Sequence, residues 1–98
     1  MATRVIWSDA AVSDIDSIAD FIAKDSERYA ASVVSQILEA GPLLQRFPRI
    51  GRVVPEPKNE NIREVQAAKN YRIIYEIRGE TVFIVSVFHG RRNFGSGL

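Results

Sequence analysis

The chain has 98 residues, 46% of them hydrophobic and 26% charged, with no cysteine and a formal net charge of +1. That length holds one core, so a single domain spanning 1–98 is expected, and the composition is far from that of disordered chains. Disulfides and thiolate metal sites are excluded, no apolar stretch suits a leader or a membrane span, and a cytoplasmic protein with no membrane contact is expected.

Thr3 to Trp7 is β-branched and aromatic and reads as a strand, followed by Ser8-Asp9, residues that favour a helix N-terminus. From Ala11 the apolar positions Val12, Ile15, Ile18, Ala19 and Ile22 follow helical spacing. Asp9, Asp14, Asp16 and Asp20 fall on the other faces and read as a solvated acidic surface. Asp25-Ser26 restarts the pattern, which Ala30, Val33, Val34, Ile37, Leu38 and Leu44 continue as the buried stripe of a second helix. The two helices are expected as an antiparallel hairpin, with a kink at Gly41-Pro42 and a stop at Phe47-Pro48.

Residues 48–61, PRIGRVVPEPKNEN, lack periodicity and predict an irregular surface loop in which Gly51-Arg52 marks a turn. Strand signals follow at Ile62–Ala67, Tyr71–Arg78 and Thr81–His89, joined by tight turns at Lys69-Asn70 and Gly79-Glu80. Tyr71, Ile73, Tyr75 and Ile77 alternate with a mixed face, while VFIVSVF is apolar on both faces and suits a central position. The order βααβββ implies an α+β fold, a helical hairpin packed on one side of a small twisted antiparallel sheet.

Charge is unevenly distributed. Through Phe47 there are four bases against seven acids, a net −3, and from Pro48 nine bases against five acids, a net +4. A basic half of this kind points to an acidic partner, protein or nucleic acid. Repeats, zinc spacings, phosphate-binding glycine loops and nucleophile elbows are absent from the sequence.

The combination of W-x-x-x-A, a helical hairpin, FPRIGR, REV, YRIIYEI and VFHGRR, in that order from Trp7 to Arg92, resembles the ParE/RelE superfamily of type II toxin–antitoxin toxins. The resemblance implies a bacterial growth inhibitor covered by a cognate antitoxin, and reaching operator DNA only through it. Self-association and a hetero-tetramer with antitoxin are both compatible with it. ParE-like members poison DNA gyrase, whereas RelE-like members cleave mRNA on the ribosome without metal or cofactor. Fold alone does not choose between them.

Matched to the RelE pattern, Arg72 takes the place of a strand-three arginine, Arg91 or Arg92 that of a strand-four arginine, and Arg63 a strand-two basic position. The companion position two residues after Arg63 is Val65, with Glu64 between, and no tyrosine follows Tyr75. Both departures remove parts the ribonuclease pattern requires. His89, with Glu64 or Glu76, is the remaining candidate for proton transfer beside Arg72 and Arg91, against the plainer reading of a histidine bonded to its neighbours. Arg72 is read alternatively as a structural partner of Glu64, Glu76 or a tyrosine. Under the ParE reading, which the departures favour, Arg63, Arg72, Arg91, Arg92 and Phe94 are the antitoxin- or target-binding candidates and catalysis is not expected. A degenerate toxin retained for antitoxin binding and operator regulation is the third reading.

Overall fold

The computed structural model describes residues 3–56 and 59–90. The elements are β1 (Arg4–Trp7), α1 (Asp9–Ala23), α2 (Glu27–Leu38), α3 (Ala40–Arg46), β2 (Arg52–Val53), β3 (Ile62–Ala67), β4 (Tyr71–Arg78) and β5 (Thr81–His89). The sheet order is β1-β5-β4-β3-β2. The α+β arrangement is as expected, with two differences. The sheet is mixed, because β1 pairs parallel with β5, and a two-residue strand, β2, forms within the predicted loop. A parallel pair needs a long crossover, and the whole helical region between β1 and the meander supplies one.

Each helix start has a local cause. Ser8 Oγ accepts from Ala11 N at 3.0 Å and Ser26 Oγ accepts from Tyr29 N at 3.0 Å, so both predicted caps operate. The break between the later helical segments comes at Glu39, two residues before the expected kink. Pro42 then lies in the first turn of α3, where its missing N–H is not needed.

The core joins Ala11, Ile15 and Ile22 of α1 with Val33 and Ile37 of α2, Leu44 of α3 and the inward residues of β4 and β5. Burying each large apolar side chain here stabilises the fold by about 1.5–3 kcal/mol. Val12 and Leu38, expected in the buried stripes, are instead about half exposed, since each stripe is narrower than its apolar count.

β5 is central, as its composition suggested, but its two-faced apolar pattern has a specific cause. Ile74 pairs with Ser86 and Tyr75 with Ile84, so Val85 is a bulge without a partner. The inward set is therefore Val82, Ile84 and Val87, and Val85 turns outward. Three contacts hold the bulge from outside. Ser8 N donates to Ile84 O at 2.9 Å, Ser8 Oγ donates to Val85 O at 3.0 Å, and Val87 N donates to Asp14 Oδ2 at 2.9 Å. Asp14 thus leaves the solvated acidic surface to which spacing assigned it.

No helix among the described residues is long and apolar enough to cross a membrane.

Candidate functional site

The FPRIGR, REV and YRIIYEI segments meet at one end of the sheet, with their side chains divided between its two faces. Tyr75, fully buried on the helix-facing side, sends its hydroxyl to the FPRIGR loop: it donates to Pro48 O at 2.7 Å and accepts from Gly51 N at 2.9 Å. Burial pushes the Tyr75 pKa up, outweighing the Gly51 N–H and the positive charges of Arg63 and Arg49, which pull it down. Gly51 must be glycine, because a Cβ would come within 2.6 Å of both Glu64 O and the Tyr75 hydroxyl.

Arg63 fastens the same loop. Its Nε donates to Glu60 O at 2.8 Å and its guanidinium donates to Arg49 O at 3.2 Å and Gly51 O at 2.9 Å. Three of the five donors of Arg63 are thus spent on loop carbonyls. Arg52 does something else.

Cross-strand partners project to the same side of a sheet. Arg52 pairs with Glu64, Glu64 with Ile74, and Arg72 with Gln66 and Phe88, so Arg52, Glu64 and Arg72 share the face opposite the helices. There Glu64 Oε2 accepts from Arg52 Nε at 2.5 Å and from Arg72 guanidinium at 2.7 Å. The Glu64 side chain is only 10% exposed, while those of Arg52 and Arg72 are 64% and 40% exposed. A buried carboxylate thus joins two half-open guanidiniums, leaving a net charge of one on the cluster. The plainer reading of Arg72, a partner for Glu64, holds. Glu76 binds Arg78 instead, at 3.0 Å.

His89 pairs in register with Tyr71, whose ring belongs to the buried face, and the two rings meet edge-on with centroids 5.1 Å apart. His89 and Arg72 are consequently on opposite faces of the sheet, and so are His89 and both glutamates proposed beside it. Gly90 follows, with its N–H donated to Asn70 O at 2.6 Å, and a Cβ there would lie 2.8 Å from Arg72 Nε. The glycine of H-G-R-R is where the Arg72 side chain crosses the exit of β5. Arg91, Arg92 and Phe94 lie outside the described residues.

Two grooves adjoin these residues. One of 370 Å³ lies over the cluster, lined by Leu43, Ile50, Arg52, Glu64, Gln66 and Arg72. The other, of 470 Å³, runs between α1 and the end of β5 past Asp14, Ile18, Phe21, Phe88 and His89. Among the described residues, no group of three or more His, Cys, Asp or Glu is placed to hold a metal ion.

Arg52 and Tyr75 carry the site yet were not candidates. Arg52 pairs across the sheet with a residue twelve positions away, and only the short β2 creates that neighbourhood. Tyr75 looked like one more apolar position of an alternating strand. Its hydroxyl, which requires a partner when buried, was the available signal.

The family described as the ParE toxin of type II toxin–antitoxin systems, parDE, matches residues 5–94. Toxin RelE2 of Caulobacter vibrioides is 27% identical over 89 residues, covering 91% of this chain and 97% of that protein. The chromosomal ParDE toxin–antitoxin system of P. aeruginosa superposes with a TM-score of 0.73 at 19% identity, over 89% of this chain and 95% of that one. The RelBE2 toxin–antitoxin complex of Mycobacterium tuberculosis gives 0.62 at 22% identity, over 91% and 99%. These likenesses of structure concern the fold. The match over nearly the whole length carries the assignment: the chain belongs to the ParE toxin family of type II toxin–antitoxin systems, within the ParE/RelE superfamily.

Proposed function

We propose that this toxin arrests growth by binding DNA gyrase, performs no chemistry of its own, and is neutralised by a cognate antitoxin. The observation that carries this reading is the division of the ribonuclease constellation between two faces. Arg72 is engaged by the buried Glu64 on one face, while His89 packs against Tyr71 on the other. Metal-free cleavage of a phosphodiester needs a proton-transfer group within reach of the residue that stabilises the phosphate. A surface of arginines beside apolar residues, in contrast, suits macromolecular binding. Purified toxin is expected to inhibit gyrase supercoiling, and unaltered supercoiling at saturating toxin would sink the proposal.

A second reading is favoured by the relative named Toxin RelE2. It predicts mRNA cleavage on translating ribosomes, with Arg72, His89 and Arg91 as the working residues. Induction of the toxin alone separates the two: replication stops first under the gyrase reading, translation under the ribonuclease one. Unimpeded growth supports the third, a degenerate toxin active only in antitoxin binding and operator regulation.

A further inference from the structure

We propose that the cleft between α1 and the end of β5 is a binding site for a small organic cation, a primary ammonium carried on an aromatic ring. Asp14, Ser17, Ile18 and Phe21 of α1 follow one another at helical spacing and share the face that lines the cleft. Tyr71 and His89, whose rings meet edge-on, line it from the sheet. Its volume, 470 Å³, is ordinary for a small-molecule site.

The polar end is Asp14. Its Oδ2 accepts from Val87 N at 2.9 Å, which fixes the carboxylate, and its other oxygen has no partner among the described residues. A strand residue sends its N–H and C=O to the same border, and Val87 N–H points away from β4, so Val87 O faces the cleft beside the carboxylate. The Ser17 hydroxyl, equally without a partner among the described residues, stands at the rim. An ammonium carries three donors and no acceptor. The cleft offers it three acceptors, one of them charged.

The rest of the surface suits an apolar body. Ile18 and Phe21 lie about 6 Å and about 10 Å along the helix from Asp14, a span that fits a ring joined to its ammonium by a short carbon chain. Phe21 is 51% exposed and has area left to bury, and aromatic faces attract a cation held near them.

Charge selects the ligand's sign. No Lys or Arg lines the cleft among the described residues, and the half of the chain through Phe47 carries a net −3. A polybasic protein segment fits less well, because it needs a series of carboxylates and the cleft has one among aromatic walls. The site shares no residue with Arg52, Glu64 and Arg72 and does not depend on the gyrase reading.

The test is an NMR titration of the isotope-labelled full chain with phenethylamine at about pH 8, below the ordinary range of an alkylamine and above that of an imidazole. Saturable shifts are expected at the Val87 amide, the Ile18 methyls and the Phe21 ring, with a dissociation constant of about 1 mM for a ligand this small. Phenethyl alcohol, the same shape without the charge, is expected to bind about tenfold more weakly. Asp14→Asn, which keeps an oxygen for Val87 N–H, is expected to weaken phenethylamine about tenfold. Ser17→Lys, at an exposed helix position, sets a rival ammonium one turn from Asp14 and is expected to abolish the shifts, whereas Asp16→Asn leaves them unchanged.

Equal affinity for phenethyl alcohol overturns the proposal, as does an affinity unmoved by Asp14→Asn and Ser17→Lys in variants that melt cooperatively. So do shifts that spread over the acidic helix surface without saturating. Tighter binding of trilysine than of phenethylamine at the same residues overturns it in favour of a protein partner.

Discussion

Replacing Tyr75 with phenylalanine isolates one oxygen atom. The ring is retained, so no cavity opens, and only the hydroxyl between Pro48 O at 2.7 Å and Gly51 N at 2.9 Å is lost. Two hydrogen bonds of about 1 kcal/mol each disappear, and the buried Gly51 N–H is left without an acceptor at a further cost of about 1–2 kcal/mol. Some of this returns because a hydroxyl no longer has to be desolvated. The expected net loss is about 2–3 kcal/mol, which for a domain of this size lowers Tm by about 10–20 °C. Calorimetry on purified Tyr75→Phe toxin measures it, with Tyr29→Phe, on an exposed helix surface, as the unchanged control. Amide exchange supplies the local readout: protection at Gly51 is expected to fall before that of β4. A Tm within about 3 °C of the parent, with Gly51 still protected, would refute the claim that this hydroxyl fastens the loop.

Three further outcomes follow from the same geometry. Because burial raises the Tyr75 pKa above its usual 10.0, the unfolded chain loses that proton first; stability is expected to be intact below pH 10.0 and to fall as pH rises through the folded value, a slope Tyr75→Phe lacks in urea melts at stepped alkaline pH. Gly51→Ala, whose Cβ meets backbone at 2.6 Å, is expected to cost about 1–3 kcal/mol, whereas Gly90→Ala, facing the Arg72 side chain at 2.8 Å, costs under about 1 kcal/mol and shifts the Arg72 Nε–H signal. Ser8→Ala removes both the α1 cap and the bond to Val85 O, for an expected loss of about 1–2 kcal/mol by urea titration.

Most of the fold was legible because its signals are local. Caps at Ser8 and Ser26, the alternation of Tyr71 to Ile77 and the turn at Gly79 are each written within a few residues, and each formed as expected. The misses are non-local. Parallel pairing of β1 with β5 joins residues 77 apart, and nothing within RVIW distinguishes a parallel from an antiparallel edge. The bulge at Val85 is equally silent, since an apolar residue facing solvent and one facing a second layer spell the same strand.

For the site, Arg72 was legible and its partner was among the residues named, because alternation puts Glu64 and Arg72 on one face once their strands pair. The separation of His89 from Arg72 was not, as it depends on the register of β4 against β5. A shift of one residue would have put them together. Arg63 has a structural part that its motif does not spell out, since three of its donors hold the loop beside it.

The engagement of Asp14 with Val87 N–H bears on solubility. Among the described residues β1 pairs with β5 only as far as Ile84, so the last residues of β5, rich in valine and phenylalanine, have no strand beside them on that border, where another chain's strand could pair. A carboxylate from the adjacent helix occupies one donor of that border and presents a negative charge where an invading backbone would have to lie. A helix residue thereby stands where an edge strand would pair, the kind of placed charge by which sheet proteins discourage edge-to-edge association.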